Sequence, residues 1–389
     1  MPKAPIRQLF QLHPDIIFLN HGSFGACPLS VYDDYQRWQA KLEEEPIQFI
    51  TKTGVKAYRQ SKEVFAEWFN CSTDNFFFTP NPSTAFNTVM KSLELKEGDE
   101  ILSTDLEYGA MDKTWSFVCK QTGAKYVQQH IPLPIQSKEQ FLETFWSGLT
   151  PNTKIVFISH ITSATALILP VEEICKKAKE LGLITMIDGA HVPGHIPLNL
   201  DELQADYYTG ALHKWLLAPK GCSFLHVKKE YQDRLDPLIV SWGYESEMPS
   251  HSRFLDYFEY TGTRDSSAYL VLPALKKFWD EENWLEQSKN AKECLHSWYM
   301  KFCDLLNTQA ICPISTEFLG QMISVPISTP DPIELKELLY EDYKIEIPIT
   351  NRGNEFFLRL SYQAYNTEDE LHYLYDCLAA IKSEGVHLQ

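Results

Sequence analysis

The sequence predicts an α/β protein built on a parallel β-sheet, followed by a smaller α+β unit. Two observations predict this class. Short apolar runs alternate with helical patterns from about residue 98, and long amphipathic stretches replace that alternation after about residue 270. Strand, helix and strand in succession are typical of parallel strands joined by crossover helices. The chain of 389 residues is long enough for two or three domains.

The predicted elements follow in order along the chain. A helical pattern over residues 32–69 is interrupted near Pro46. Apolar runs predict strands at Glu100–Leu102, Lys154–Ser159, Leu183–Asp188 and Cys222–Lys228, with a helix at Val171–Leu181. The last third predicts helices at 269–305, 332–342 and 367–382 and strands at Met322–Ile327 and Phe356–Leu360. We therefore expect a boundary near residue 270.

Composition and charge narrow the class of partner. The chain has 35 Lys and Arg against 52 Asp and Glu, a net charge of −17. Nucleic acids and anionic membranes attract basic surfaces, so we expect neither as a partner. No apolar run approaches 18 residues and no signal-peptide pattern is present. Nine cysteines without a CxxC pair argue against a disulfide scaffold or zinc ribbon, so the expected location is the cytoplasm.

Lys214 is the first candidate for chemistry. It lies in the segment DYYTGALHKWLLAPKGCSFL, which contains few other charges. An apolar setting disfavours the ammonium form, lowers the pKa of a lysine and makes its neutral amine a nucleophile for Schiff-base formation. A surface lysine before the turn at Pro219–Gly221 is the alternative interpretation.

Asp188 is the second candidate, because it ends an apolar strand in LITMIDGAHVPGH. Ligands of parallel α/β sheets bind beyond the carboxyl ends of the strands, where a carboxylate could pair with a protonated ring nitrogen. Asp188 could instead cap a turn. A metal site of Asp188, His191 and His195 is a further alternative, but Pro193–Gly194 breaks any helix between the two histidines.

Residues 79–93, TPNPSTAFNTVMKSL, place turn and cap residues before an apolar helical pattern. The N-terminus of a helix has free N–H groups and a positive dipole end, so it can bind a phosphate. Caps of this kind precede most helices, so the signal is weak by itself. The chain has neither G-x-x-x-x-G-K-[ST] nor G-x-G-x-x-G, which argues against a nucleotide site.

Taken together, these segments resemble the class V aminotransferase family, fold type I of the pyridoxal-phosphate (PLP) enzymes. The similarity is greatest to the isopenicillin N epimerase-like and cysteine C–S lyase subgroup. Eight segments match in order: FLNHGSFG (18–25), STAFN (83–87), EYGA (107–110), SHITSATALILPV (159–171), IDGAH (187–191), LHKWLLAPKG (212–221), YTGTRDSSAYL (260–270) and LRLSYQAYNTEDEL (358–371).

The resemblance implies a large PLP-binding domain at 16–270 with a mostly parallel seven-stranded sheet flanked by helices. A small α+β domain would comprise 1–15 and 271–389. It also implies a homodimer whose active sites are shared between subunits, with a small amino-acid substrate.

The resemblance also implies roles for individual residues. Lys214 would bind PLP as a Schiff base and move the Cα proton, Asp188 would pair with the pyridine nitrogen, and Tyr108 would stack on the ring. The other cofactor-binding residues would be His191 near the ring hydroxyl, Ser83, Thr84 and His213 at the phosphate, Thr162, and Gly262 and Thr263 from the neighbouring subunit. Arg359 would hold the substrate carboxylate as a bidentate pair. His21, Gly22 and Ser23 would line the substrate side, and no metal is implied.

Two departures from the family pattern qualify the prediction. Ala211 stands where close relatives often have Asn, so one polar contact near the cofactor is expected to be absent. No cysteine lies between Cys312 and Arg359, and we interpret Cys312 as structural, which disfavours a persulfide-forming desulfurase.

The predicted reaction starts with removal of the Cα proton. Epimerisation, C–S β-elimination and transamination all stay open, because one fold supports many reactions. An epimerase needs a second acid on the opposite face, for which Tyr108 and His21 are the candidates. A metal-dependent hydrolase and a catalytically silent binding module are the rival classes.

Overall fold

A computed structural model describes residues 5–388 of the chain. The helices are α1 (His21–Phe24), α2 (Leu29–Glu44), α3 (Pro46–Gln48), α4 (Gly54–Phe69), α5 (Pro82–Ser92), α6 (Gly109–Thr122), α7 (Lys138–Trp146), α8 (Val171–Glu180), α9 (Leu200–Leu203), α10 (Arg253–Glu259), α11 (Ser267–Leu270), α12 (Leu272–Glu281), α13 (Trp284–Leu305), α14 (Pro332–Glu341) and α15 (Glu368–Glu384). The strands are β1 (Ile17–Phe18), β2 (Phe76–Thr79), β3 (Glu100–Thr104), β4 (Lys125–Gln129), β5 (Thr153–Ser159), β6 (Ile184–Asp188), β7 (Tyr207–Ala211), β8 (Ser223–Val227), β9 (Met322–Ile327), β10 (Ile345–Glu346), β11 (Ile349–Arg352) and β12 (Glu355–Ser361).

The large sheet has seven strands in the order β2-β8-β7-β6-β5-β3-β4. Strands β4, β3, β5, β6 and β7 run parallel, and β8 is antiparallel to both of its neighbours. The central strands of the large sheet, β5, β6 and β7, are buried along almost their whole length. Such burial is typical of a parallel sheet covered by helices on both faces. The predicted mostly parallel seven-stranded α/β sheet is confirmed.

The C-terminal part forms a second, smaller assembly. Strands β11, β12 and β9 make an antiparallel sheet, against which α13 packs. The predicted strand at Met322–Ile327 and the helix from Pro332 are confirmed, because their apolar patterns are strong. Strand β1, inside the predicted large domain, pairs with β10 of this assembly. The domain limits themselves stay a prediction.

The carboxyl ends of the central strands bring polar groups together. In the pairing of β5 with β6, Ser159 lies beside Asp188. The chain turns immediately after Asp188, at Gly189, where a Cβ atom would lie 2.2 Å from the Tyr208 hydroxyl oxygen. Only glycine fits there, so the tight turn keeps Asp188 at the strand end. Within residues 5–388, no helix combines the length and apolar character needed to cross a membrane.

The N-terminal helix α1 packs directly against the loop that carries Lys214. Gly25 ends α1 with a φ of +70°, and a Cβ there would lie 2.0 Å from the carbonyl oxygen of His213. A side chain at Gly25 would therefore push α1 away from the loop. This close approach places Gly22 and Ser23 beside Lys214.

Candidate active site

A cavity of about 270 Å³ opens at the carboxyl ends of β5, β6 and β7. It brings together nine of the residues predicted from the sequence: Gly22, Ser23, Ser83, Tyr108, Asp188, His191, His213, Lys214 and Arg359. These residues come from positions 22 to 359 of the chain, so the cavity exists only when the large sheet and the C-terminal assembly meet.

Lys214 lies in the loop between β7 and β8, with its side chain partly buried. Its Nζ atom lies 3.1 Å from Nε2 of His191. Burial and the positive charge of Arg359 together lower the pKa of Lys214 to about 7, against the opposing effect of Asp188. A substantial fraction of the side chain is therefore the neutral, nucleophilic amine near neutral pH.

The hydrogen bonds of His191 determine which partner donates to the other. The Trp215 indole N–H can only donate, and it donates to Nδ1 of His191 at 3.4 Å. Burial keeps the pKa of His191 well below its ordinary value, so the ring is neutral and its proton is on Nε2. His191 therefore donates to the Lys214 amine, which must accept with its lone pair. This arrangement favours the neutral lysine.

Asp188 ends β6 and is almost completely buried. Its Oδ1 accepts a hydrogen bond from the Ala190 N–H at 2.9 Å. Among residues 5–388, no group donates to Oδ2, although the side chain lines the cavity. Burial raises the pKa of Asp188, while the Ala190 bond and Lys214 lower it. A cationic N–H donor in the cavity would satisfy the free oxygen.

Arg359 lies on β12 and is 4% exposed. Its Nη1 donates to the Ser163 carbonyl oxygen and its Nη2 to the Ser23 hydroxyl, each at 2.7 Å. Its Nε has no partner, and no carboxylate within residues 5–388 forms an ion pair with it. Burial lowers the pKa of Arg359 to about 10, so it stays charged at neutral pH. An uncompensated buried cation beside a cavity is suited to an anionic ligand.

Helix α5 points its first turn at the cavity, where Asn81, Pro82 and Ser83 are part of the wall. Asn81 caps the helix by accepting from both the N–H and the hydroxyl of Thr84, at 2.8 and 3.0 Å. Within the described chain, the N–H and hydroxyl of Ser83 have no partner. Ser83 is therefore available to an anion, whereas both donors of Thr84 are already used.

Tyr108 and His213 both line the cavity. Tyr108 precedes α6, and its side chain is 49% exposed. His213 donates from Nδ1 to the Cys222 carbonyl at 3.2 Å, and burial lowers its pKa to about 4. Neutral His213 presents a lone pair at Nε2, so it would have to gain a proton to bind a phosphate.

Five of the predicted residues do not line the cavity: His21, Thr84, Thr162, Gly262 and Thr263. Thr162 does not line the cavity, because its hydroxyl bonds to Thr165 at 2.7 Å and accepts from the Leu167 N–H at 2.8 Å. His21 is also fully buried outside the cavity wall. Its Nδ1 bonds to the Tyr365 hydroxyl at 2.8 Å and its Nε2 to the Lys214 carbonyl at 3.1 Å. His21 holds the Lys214 backbone and is not a free acid.

Gly262 and Thr263 lie in a separate groove with Tyr58 and Arg264, away from Lys214. They do not contribute to the cavity of their own chain, and their predicted contact with a neighbouring subunit stays a prediction.

The arrangement does not support a metal site at Asp188, His191 and His195. His195 uses both ring nitrogens: Nδ1 bonds to the His191 carbonyl at 2.9 Å, and Nε2 accepts from the Gln321 N–H at 2.6 Å. Its ring stacks on Trp215 with centroids 4.0 Å apart. Within residues 5–388, no group of three His, Cys, Asp or Glu side chains has the geometry to hold a metal ion.

Sequence reasoning missed several residues that shape the site. Ser159 and Ser163 line the cavity, and Trp215 orients His191. Glu107 is buried behind Ser159 and accepts from its N–H and its hydroxyl. The position of Ser159 at the end of its predicted strand, next to the strand of Asp188, was the available signal. Nothing in the sequence pattern indicated the contact with Glu107.

Comparison with known proteins decides the family. The family model for aminotransferase class-V matches residues 29–374. The chain is 31% identical over 385 residues to the isopenicillin N epimerase of Streptomyces clavuligerus, covering 96% of each chain. The chain belongs to the class-V aminotransferase family. It is also 26% identical over 419 residues to a probable chloroplastic L-cysteine desulfhydrase of Arabidopsis thaliana, covering 98% of this chain and 86% of that protein.

A solved structure extends the similarity to the fold of this class-V protein. A C-DES mutant with glycine covalently linked to its PLP cofactor superposes with a TM-score of 0.82 at 20% identity, covering 97% of this chain and 99% of the other. Three predictions are confirmed: the family, the PLP-dependent class of enzyme, and the cofactor PLP.

The residues of the cavity fit PLP. A reactive aldehyde needs an amine, which Lys214 supplies in its neutral form. A protonated ring nitrogen needs a carboxylate, and Oδ2 of Asp188 has no other donor within the described chain. A phosphate needs free N–H and O–H donors, which Ser83 offers at the start of α5.

Proposed function

We propose that this class-V enzyme removes the Cα proton of an amino acid with a free carboxylate, with Lys214 as both cofactor anchor and base. One observation carries the proposal. A single cavity holds a lysine with a pKa lowered to about 7, a buried carboxylate with an unpartnered oxygen, and a buried arginine without an acidic partner. An amine-reactive cofactor and a carboxylate-bearing substrate satisfy all three groups together.

When bound, PLP supplies an electron sink that makes the Cα–H bond of an attached amine more acidic. Arg359 binds the substrate carboxylate through Nε and the remaining donors of its fork, and Ser163 and Ser23 hold the guanidinium in place. The carboxylate position then fixes the direction of the Cα–H bond. Lys214 takes that proton at Nζ.

Asp188 would pair through its free oxygen with a protonated ring nitrogen of the cofactor. The free donors of Ser83 would hold the phosphate end of the cofactor, and Tyr108 would cover its ring. Asp188 and Ser83 would orient the cofactor and would not react with the substrate. Their combined effect is to hold the reacting carbon near Nζ of Lys214.

The first candidate reaction is inversion at Cα, in keeping with the relative named isopenicillin N epimerase. Inversion needs an acid opposite Lys214, and Tyr108 is the candidate that lines the cavity. The second candidate is C–S β-elimination, which needs only one base. It is favoured by the buried position and full hydrogen bonding of His21, and by the relative named L-cysteine desulfhydrase.

Proton exchange in D₂O tests the proposal and separates the two candidates. The PLP-loaded protein is incubated with L-alanine, L-cysteine and L-cystine, and Cα–H loss is followed by NMR. We expect wild-type protein to exchange Cα–H and Lys214→Ala to exchange none. Formation of the D-enantiomer supports inversion, and pyruvate with sulfide supports elimination. Absence of exchange with every amino acid tested would contradict the proposal.

We further propose a homodimer in which Gly262 and Thr263 reach the cofactor phosphate of the neighbouring subunit. The separation of their groove from the cavity of their own chain supports this arrangement. Mixing inactive Lys214→Ala and Thr263→Trp proteins should restore activity, because a hybrid dimer contains one intact site. We also propose the cytoplasm as its location, because all nine cysteines are free thiols.

A further inference from the structure

Glu107 is a buried carboxyl group that the proposed chemistry does not use. It lies between β3 and α6 and is 8% exposed. It accepts three hydrogen bonds: one from the Thr104 hydroxyl at 2.6 Å, one from the Ser159 N–H at 2.8 Å and one from the Ser159 hydroxyl at 2.6 Å. All three distances lie within the ordinary range of hydrogen bonds.

The surroundings of Glu107 make burial of its carboxyl group energetically unfavourable. Within residues 5–388, no lysine, arginine or histidine forms an ion pair with it. Its charged neighbours are Asp188 and Asp112, both acidic. Burial is the main reason that the pKa of Glu107 is raised to about 8; the hydrogen bonds from Ser159 and Thr104 oppose the rise, and the two carboxylates add to it. Burial of a carboxyl group without a cationic partner is costly, and the three hydrogen bonds offset part of that cost.

The three hydrogen bonds join two segments that form the site. Thr104 ends β3, and Ser159 ends β5 beside Asp188. Glu107 therefore ties the loop after β3 to the strand end next to Asp188. The next residue in that loop is Tyr108.

Tyr108 has few contacts of its own to fix its position. Its side chain is 49% exposed, and its hydroxyl has no hydrogen-bond partner within the described chain. Its backbone carbonyl accepts from the N–H groups of Met111 and Asp112, which only continue the helix. The anchor for this ring is therefore the residue before it.

We propose that Glu107 is a positioning residue that fixes the ring of Tyr108 over the cofactor by bridging Thr104 to Ser159. This inference rests on the proposed role of Tyr108 as the aromatic ring that covers PLP. Glu107 acts through Tyr108 and does not touch the substrate.

The test uses the full-length, PLP-loaded protein and two readouts. One is circular dichroism in the visible band of bound PLP, which reports how the ring is held. The other is the dissociation constant of PLP. An aromatic pair contributes about 0.5–1.5 kcal/mol, so Glu107→Ala should weaken PLP binding about 2- to 10-fold and reduce the visible dichroism. In Glu107→Gln, the amide oxygen can still accept both hydrogen bonds from Ser159, and the amide N–H can donate to the Thr104 hydroxyl. This variant should therefore behave like wild type.

A double-mutant cycle shows whether the effect passes through the ring. In a Tyr108→Ala background, Glu107→Ala should cause no further change in either readout. Glu100 is the matched control. It is also 8% exposed, it begins β3 at the far end of the strand, and it accepts from the Thr150 hydroxyl at 2.5 Å. Glu100→Ala should lower the melting temperature and leave the visible dichroism unchanged.

Four results would overturn the inference. Glu107→Ala could give wild-type readouts, or it could reduce dichroism and PLP affinity as much in the Tyr108→Ala background as in wild type. Glu107→Gln could resemble Glu107→Ala, or Glu100→Ala could lose visible dichroism. If Glu107→Ala does not fold, Thr104→Val removes one of the three bonds with nearly the same shape and should give a smaller loss of dichroism. Wild-type readouts for Thr104→Val would then overturn the inference. A wild-type protein without a visible PLP band would instead contradict the proposed function.

Discussion

Replacing Arg359 by Gln is the most informative perturbation of substrate binding. Arg359 is 4% exposed, its Nη atoms are held by Ser163 and Ser23, and its Nε is unpartnered. We expect a substrate carboxylate to take two charge-assisted hydrogen bonds from the guanidinium. At about 1.5–3 kcal/mol each, their loss amounts to roughly 3–6 kcal/mol. Glutamine keeps one amide donor, so we expect the lower end, about a 100-fold loss of affinity.

The assay compares ligands that differ only in the carboxylate. L-cysteine and cysteamine, or L-alanine and ethylamine, are titrated against the visible band of the PLP-loaded protein. Wild type should prefer the amino acid over its amine by about 100-fold or more, and Arg359→Gln should lose that preference. PLP binding and folding should be retained, because the side chain is a buried cation without an acidic partner. Removing the charge should also raise the pKa of Lys214 above about 7.

Arg352→Gln is the matched control for this experiment. Arg352 lies on β11 of the same small sheet, pairs with Glu355 at 2.6 Å and does not line the cavity. It should keep the wild-type preference for amino acids. An Arg359→Gln protein that still prefers L-cysteine to cysteamine as strongly as wild type would refute the reasoning.

Three further predictions concern the lysine, its partners and the buried cysteine. Because the pKa of folded Lys214 is about 7 and that of an unfolded lysine is about 10.4, the unfolded chain binds more protons between these values. The free energy of unfolding of the cofactor-free protein, measured with urea, should therefore rise from pH 7 to pH 10. The rise should be less steep in Lys214→Met, and equal slopes of unfolding free energy against pH in the two proteins would contradict this prediction. Trp215→Phe removes the N–H donor to Nδ1 of His191, so His191 no longer has to keep its proton on Nε2 and the pKa of Lys214 should rise. The pH dependence of the reaction of Lys214 with PLP measures this pKa, and an unchanged profile would contradict the assignment of the His191 proton to Nε2. Cys312 is buried with a thiol pKa of about 12, so Cys312→Ser should keep wild-type turnover, whereas loss of turnover would indicate a persulfide role.

The fold was predictable because the signals were local and repeated. The run Lys154–Ser159 and the pattern Val171–Leu181 correspond to β5 and α8 within a few residues. The positions of Lys214 and Asp188 were also predictable, because each follows or ends a strand that a parallel sheet directs toward the ligand.

The predicted site and the observed cavity differ where a side chain already has hydrogen-bond partners. His21 was a reasonable acid by residue type, yet Tyr365 and the Lys214 carbonyl occupy both of its nitrogens. Thr162 was a reasonable phosphate ligand, yet it bonds within its own loop. Glu107 was overlooked because its role depends on a hydrogen bond from Ser159, which lies 52 residues away in the sequence. Hydrogen-bond saturation of this kind cannot be read from spacing.

The most direct test of the central claim is to locate the lysine that binds PLP. The PLP-loaded protein is reduced with borohydride and digested, and the modified peptide is sequenced by mass spectrometry. The account predicts a pyridoxyl group on Lys214 and none in Lys214→Ala. Lys220 is the informative competitor, because it lies six residues away, has a pKa that desolvation of its amine lowers, and bonds to the Gly25 carbonyl at 2.9 Å. A label on Lys220, or no label on any lysine, would contradict the account.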